Sequence, residues 1–173
     1  MGIKEAIERL EKSAEFSEWR HSNKEAYLAH AFTIKENDKL DSWQIGYYNK
    51  AHQKITIFEM GDSIEILPES EVFKREETEV RGLDIKKVGI DIERALEIAE
   101  GINKEKYPQV RSSKQIIILQ DLEQGQLWNI TFVSTSMDVL NVKLDAGSGE
   151  ILNHCLNSLF EFRNFDDKGN LAA

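Results

Sequence analysis

The sequence predicts an α+β protein built from two tandem units, each with a helix laid on an antiparallel sheet. Two observations give the elements: apolar residues recur at helical spacing near residues 3 and 92, and several later stretches alternate apolar and polar residues. A third gives the duplication, since the chain matches itself at a fixed shift. An amphipathic helix and a sheet with one apolar face each have an apolar surface to bury, and packing one on the other buries both.

The self-match is seen when Trp43 is placed over Trp128, a shift of 85 residues. Residues 43–66 then lie over residues 128–151 without a gap, and apolar, aromatic and turn positions agree along the run. The matched pairs include Ile45 with Ile130, Tyr47 with Phe132, Ile55 with Leu140, and Ile57 with Val142. A duplicated unit explains this agreement.

A helix is predicted before each set of strands. The first places Ile3, Ile7 and Leu10 on one face, and the second does the same with Ile92, Ala95, Leu96 and Ala99. Asp91 is the expected N-cap of the second helix, and Gly101 its expected C-terminal stop. The two helices match best at a shift near 89 residues, so the connection between helix and first strand differs by about four residues between the units.

Turn signals and charge divide the chain into four predicted regions. The first unit covers residues 1–67, a charged linker covers 68–87, the second unit covers 88–165, and a flexible tail covers 166–173. The linker opens at Pro68, and its apolar residues are expected to pin it to the surface. Those residues are Val72, Phe73, Leu83 and Ile85.

Composition excludes several classes of function. Thirty-one Asp and Glu against 22 Lys and Arg give a net charge of −9, which argues against a nucleic-acid partner. The one cysteine, Cys155, rules out an internal disulfide. No stretch is apolar enough for a membrane span or a signal peptide, which predicts a cytoplasmic protein.

No catalytic or metal-binding set emerges. His154 and Cys155 are adjacent, but strand neighbours point to opposite faces, and we expect a buried cysteine beside a surface histidine. The four histidines lack the spacing of metal ligands. The expectation is a non-enzyme with no metal and no cofactor.

Two groups of residues are candidates for binding. Trp19, Arg20 and His21 form a basic and aromatic cluster in the predicted loop between the first helix and its sheet, where they would make a binding lip. The alternative is that Trp19 packs on the core. Trp43, Tyr47 and Trp128 would line a ligand pocket between helix and sheet, or would simply be core aromatics.

The segment Asp145-Ala146-Gly147-Ser148-Gly149 joins two predicted strands. It has too few oxygen ligands for an EF-hand-like calcium loop and lacks the lysine of a phosphate-binding loop. Asp, Gly and Ser are the residues of a tight turn, so a hairpin is predicted.

The second unit resembles the PepSY domain family. The resemblance rests on the helix "IDIERALEIAEG", the "YPQV" that follows, the strand "LWNITFV" and the ending "LNVKLDAGSGEIL". Residues 88–153 carry it, and residues 3–67 resemble a degenerate copy in which Met60 stands at the position of Asp145. The resemblance implies a small helix-on-sheet module of cystatin-like appearance. Such modules occur in propeptides of secreted thermolysin-like metallopeptidases, which they are thought to restrain.

The expected function is therefore a non-catalytic module that binds a protein or peptide, through an exposed sheet edge or the lip around Trp19. One alternative is a small-ligand carrier with its pocket between helix and sheet. A second is a peptidase inhibitor. A sheet edge would also allow a homodimer.

Overall fold

The computed structural model describes residues 1–71, 79–135 and 138–158, and within them the chain is α+β, as predicted. The helices are α1 (Ile3–Glu11), α2 (Ala14–Ser22) and α3 (Ile92–Lys106), with a 3₁₀ turn at Ile85–Lys87. The first six strands are β1 (Tyr27–Glu36), β2 (Lys39–Leu40), β3 (Trp43–Asn49), β4 (Lys54–Met60), β5 (Ile64–Ile66) and β6 (Ser70–Glu71). The remaining strands are β7 (Ser112–Leu122), β8 (Gly125–Ser134), β9 (Asp138–Asp145) and β10 (Ile151–Ser158).

All ten strands belong to one antiparallel sheet, in the order β10-β9-β8-β7-β1-β3-β4-β5. Strand β2 pairs with β1, and β6 pairs with β4 beside β5. The centre of the sheet is the pairing of β1 with β7, which runs from His30 opposite Gln120 to Glu36 opposite Lys114. Strands β1 to β6 therefore form one half of the sheet, with β6 inside the predicted linker, and β7 to β10 form the other half.

The helices bury their apolar faces against this sheet in a single core. Helix α1 contributes Ile3, Ala6, Ile7 and Leu10, and α3 contributes Ile92, Ala95, Leu96, Ala99 and Ile102. From the sheet the core receives alternate residues, such as Ile45, Ile117 and Ile130, each fully buried. The apolar positions predicted for the two helices are thus confirmed as buried.

Helix α3 continues through Gly101 to Lys106, so the predicted stop at Gly101 is wrong. A helical glycine costs only about 1 kcal/mol. The burial of Ile102, which is 5% exposed, and the hydrogen bond from Asn103 Nδ2 to the Val110 carbonyl (3.1 Å) favour the longer helix. The predicted N-cap is confirmed, since the Asp91 carboxylate accepts from the Arg94 amide at 2.8 Å.

The self-match of the sequence, which has no gap, is wrong by one residue in strand β4. Phe58 lies opposite Ile45, and Val142 lies opposite Ile130, so in the pairing of strands the position of Phe58 corresponds to that of Val142. The match had placed Ile57 there, but Ile57 lies opposite Gly46. The connection from β3 to β4 has one residue more than that from β8 to β9, which shifts the register.

The predicted linker contributes to the core. Tyr27 donates to the Val80 carbonyl (2.6 Å), and Val80 packs with Tyr48 in a small apolar cluster separate from the helix-covered core. Three residues later, Leu83 is 6% exposed within the main core, and its amide donates to the Leu28 carbonyl (2.8 Å). Leu83 is therefore more deeply held than a surface anchor, and Ile85 is half-buried against the core. Val72, Phe73 and the predicted tail lie outside the described residues.

Among the described residues, no helix combines the length and apolar character needed to cross a membrane.

Candidate functional site

The predicted lip of Trp19, Arg20 and His21 lies on a helix, which corrects the expectation of a loop. Ser13 caps α2 by accepting from the Phe16 amide at 3.1 Å, and Phe16 is buried beneath the helix. The cap and the buried ring explain why this polar stretch is helical.

Trp19 joins an aromatic cluster in the core. Its ring centroid lies 5.5 Å from that of Phe16, 5.6 Å from that of Tyr47 and 5.1 Å from that of Phe58. Its indole Nε1 is buried and has no hydrogen-bond partner among the described residues. The geometry is that of the predicted alternative, a tryptophan packed on the core.

The side chains of Arg20 and His21 contact backbone carbonyls of α2 and of the residues that follow it. The Arg20 guanidinium donates to the carbonyls of Asn23 (3.3 Å) and Ala26, and lies 5.9 Å from the centroid of the Phe16 ring. His21 is exposed, with Nδ1 2.6 Å from the Ser17 carbonyl. Arg20 thus satisfies carbonyls where the helix stops, a role that the sequence did not reveal.

Tyr47 is buried beside Trp19, and its hydroxyl donates to Glu11 Oε1 at 3.0 Å. Burial, together with the Glu11 carboxylate, raises the pKa of the Tyr47 phenol above its ordinary value. Tyr47 is therefore a hydrogen-bond donor that ties α1 to β3.

Trp43 and Trp128 face each other in the core with ring centroids 6.4 Å apart, and they are 4% and 0% exposed. Each indole donates to a backbone carbonyl just ahead of a helix: Trp43 to Met1 (3.1 Å), and Trp128 to Ile90 (3.3 Å). The six candidate residues therefore do not converge. Trp19, Arg20 and Tyr47 surround Phe16, the two tryptophans form a separate pair, and His21 lies outside both groups.

The turn that follows β9 is a structural anchor. Asp145 Oδ1 accepts from the Gly147 amide (3.0 Å), the Ser148 amide (2.7 Å) and the Ser148 hydroxyl (2.8 Å). The bonds from Ser148 are the main cause of the lowered pKa of Asp145. On its other side, the Ala146 carbonyl accepts from the amides of Gly89 (2.9 Å) and Ile90 (3.2 Å). The turn thereby holds the segment that leads into α3.

His154 and Cys155 point to opposite faces of β10, but their burial is the reverse of that expected. Cys155 is exposed, and His154 is half-buried. His154 Nδ1 lies 2.7 Å from the Tyr107 hydroxyl, and Nε2 lies 3.3 Å from Lys106 Nζ. His154 therefore belongs to a cluster with the end of α3, and Cys155 has no part in it.

The sequence predicts binding at an exposed sheet edge, but none of the six candidate residues lies on the edge strand that the structure shows, β10. It pairs with β9 over its length, and within the part of the chain that the structure describes no strand pairs with its other edge. Its eight residues include no Asp, Glu, Lys or Arg, although 31% of the whole chain is charged. Ile151 and Leu152 are 47% and 37% exposed there. The absence of charged residues over this stretch is the feature of the sequence that could have indicated this edge strand.

The opposite end of the sheet differs. Strands β5 and β6 have three and two residues, and each contains a glutamate, Glu65 and Glu71. Short strands and charges are the usual protection of a sheet edge. Of the two ends of the sheet formed by the described residues, the β10 end presents the longer, neutral strand.

Comparison with known proteins adds a likeness of fold. No protein-family model matches the chain, and no curated protein matches it. The fold is similar to the crystal structure of a protein described as "a putative lipoprotein" from Clostridium difficile 630, with a TM-score of 0.52 and 11% sequence identity. The similarity covers 83% of this chain and 90% of that one. At this identity the likeness concerns the fold alone.

Proposed function

We propose that this protein is a non-catalytic binding module that captures an extended segment of a protein or peptide along β10. The observation that carries the proposal is the eight-residue, charge-free edge strand. The backbone amides and carbonyls of an edge strand can form a new ladder with an added strand. Since every pairing in this sheet is antiparallel, an added strand would extend the existing pattern.

Contrast within the molecule supports this choice of surface. The chain carries a net charge of −9, so charged partners of the same sign are repelled over much of its surface. A neutral strand offers backbone hydrogen bonds without that repulsion. The other predicted contact, the lip at Trp19, is a weaker candidate for binding, because Trp19 already contacts the core and Arg20 the residues at the end of α2.

The same edge would accept β10 of a second copy, which would give the homodimer predicted from the sequence. The two alternative functions have less support. Trp43 and Trp128 donate their indole N–H groups to backbone carbonyls, so neither presents its N–H to a ligand. The peptidase-inhibitor alternative rests on the family resemblance.

We also propose that the two halves are tandem PepSY-like units, the first degenerate, with the linker between them. The buried residues Ile3, Ala6, Ile7 and Leu10 of α1 lie 89 positions before Ile92, Ala95, Leu96 and Ala99 of α3. The carbonyls of Met1 and Ile90, which accept from the two tryptophans, have the same separation. Two units joined through β1 and β7 would cover an edge that each would otherwise expose. The cytoplasmic location stays a prediction.

A selection experiment tests the binding function. A phage library displaying random nonapeptides is selected on the full-length protein, and enriched peptides are synthesised with and without N-methyl groups on alternate amides. We expect amide chemical shifts to change along Ile151–Ser158 when an unmodified peptide is added. Methylation of the amides that face β10 should abolish binding, because it removes the donors of the ladder.

Two outcomes would contradict the proposal. One is a library that yields no peptide above the background of an unrelated acidic protein. The other is a set of enriched peptides whose shift changes avoid β10, or whose binding survives methylation. Sedimentation velocity over a range of protein concentrations separates peptide capture from pairing between two copies.

A further inference from the structure

The cluster of His154, Lys106 and Tyr107 stands beside the β10 edge on the helix-covered side of the sheet. His154 lies opposite the buried Val142, and directly opposed residues of an antiparallel pair point to the same face. Lys106 is the last residue of α3, and Tyr107 is its C-cap. The end of α3 is therefore positioned over the outermost strand.

The distances within this cluster fit one arrangement of donors and acceptors. An ammonium has no lone pair, so at 3.3 Å Lys106 Nζ donates to His154 Nε2, and the proton of the imidazole lies on Nδ1. Nδ1–H in turn donates to the Tyr107 oxygen at 2.7 Å. The hydroxyl proton of Tyr107 is then available to another acceptor, as are the remaining N–H groups of Lys106.

These donors have no further acceptor in the described part of the chain. None of its carboxylates lies within 4.0 Å of Lys106 Nζ, and the Tyr107 hydroxyl makes no second hydrogen bond there. Lys106 is exposed, whereas the Tyr107 ring packs against the core and His154 is half-buried. The ammonium of Lys106 and the hydroxyl of Tyr107 are thus both hydrogen-bonded to the His154 imidazole, which is part of the sheet.

A strand added to β10 would lie about 4.8 Å from it, with side chains alternating between the two faces. Its residue opposite His154 would point to the helix-covered side, with its Cβ about 5 Å from that of His154. That position adjoins Lys106 and Tyr107. A carboxylate there would accept from both donors, and charge-assisted hydrogen bonds of this kind are the stronger ones.

We propose that the captured strand is recognised by an Asp or Glu side chain opposite His154, bound by Lys106 and Tyr107. This inference rests on the proposed strand capture and adds the chemistry of the partner. Lys106 and Tyr107 are the contacting residues, and His154 is a positioning residue that orients them.

The test uses pairs of peptides from the library selection that differ only by Asp or Asn at the position opposite His154. Dissociation constants are measured by fluorescence anisotropy on the full-length protein and on two variants, Lys106→Met and Lys104→Met. Lys104 is the matched control, since it lies in the same last turn of α3 and is exposed, whereas the hydrogen bond to His154 comes from Lys106. The Tyr107→Phe variant keeps the ring and removes the hydroxyl.

We expect the Asp peptide to bind about fivefold more tightly than the Asn peptide, the scale of an exposed ion pair. The preference should fall close to one in Lys106→Met, persist in Lys104→Met, and weaken in Tyr107→Phe. Lys106→Met should weaken binding of the Asp peptide more than binding of the Asn peptide. That last result separates lost recognition from a disturbed strand.

Equal binding of the two peptides to the unmodified protein would overturn this inference and leave strand capture standing. So would a preference that survives Lys106→Met, because the acid would then be recognised elsewhere. A library without any β10-binding peptide would remove the proposed function, and this inference with it.

Discussion

Replacing Gly89 by alanine should destabilise the protein strongly, although alanine differs by one methyl group. A Cβ at this position would meet the Gly147 carbonyl oxygen at 2.1 Å and its carbon at 3.0 Å. These are backbone atoms of the Asp145–Gly149 turn, so no side chain can rotate away. The Gly89 segment or the turn must shift instead.

The cost follows from what the shift breaks. Overpacking of this kind typically costs about 1–3 kcal/mol. The amides of Gly89 and Ile90 both donate to the Ala146 carbonyl, and weakening these bonds adds about 1 kcal/mol. We therefore expect Gly89→Ala to lower the free energy of unfolding by about 2–4 kcal/mol. For a chain of this length that is a fall in melting temperature on the order of 5–15 °C.

The assay is urea-induced unfolding followed by circular dichroism, with Gly101→Ala as the matched control. Gly101 lies inside α3, and a Cβ there would meet no atom within 4 Å. That variant should be more stable than the wild type by about 0.5–1 kcal/mol, because alanine is the better helix former. A Gly89→Ala variant within about 0.5 kcal/mol of the wild type would refute the structural role given to the turn.

Three further predictions address other residues. Burial lowers the pKa of His30, so the folded state favours the neutral imidazole; this contribution to stability is present above the unfolded pKa of about 6.5 and is lost as the pH falls below it. When unfolding is measured at pH 7.5 and 5.0, the free energy of unfolding should fall less in His30→Gln than in the wild type. In the exposed control His21→Gln it should fall as much as in the wild type. Trp19 is partly buried, whereas Trp43 and Trp128 are almost fully buried, so Trp19→Phe should leave fluorescence that acrylamide quenches less than that of the wild type. Stronger quenching would mean that the pair of Trp43 and Trp128 is open to solvent. Cys155 is exposed, so one equivalent of Ellman's reagent should react rapidly without denaturant, and a thiol that reacts only after unfolding would contradict its assigned side of β10.

The elements that the sequence predicted well are those with one apolar face. Helix α3 buries the predicted positions, because its periodicity leaves one apolar face to cover. Strand β4 reads Lys-Ile-Thr-Ile-Phe-Glu-Met and has apolar residues on both faces. Alternation cannot fix its register, and the one-residue error between Ile57 and Phe58 followed.

The candidate binding residues were harder to predict because the same residue types serve folding and recognition. Trp19 and Arg20 looked like a lip, but the Ser13 cap and the aromatic cluster draw them into α2 and the core. The His154 cluster joins the end of α3 to the last described strand, 47 residues apart for Tyr107 and His154. No local pattern reports a contact of that length; only the sheet order brings the residues together.

The central claim, that β10 has an edge able to accept a strand, is tested most directly by amide hydrogen exchange of the free, full-length protein. Along Ile151–Ser158, amides that face β9 should exchange slowly, and the alternate amides that face away should exchange at least tenfold faster, on the order expected for unpaired edge groups. Uniform slow exchange of all these amides at low protein concentration would contradict the claim, because the edge would already be covered.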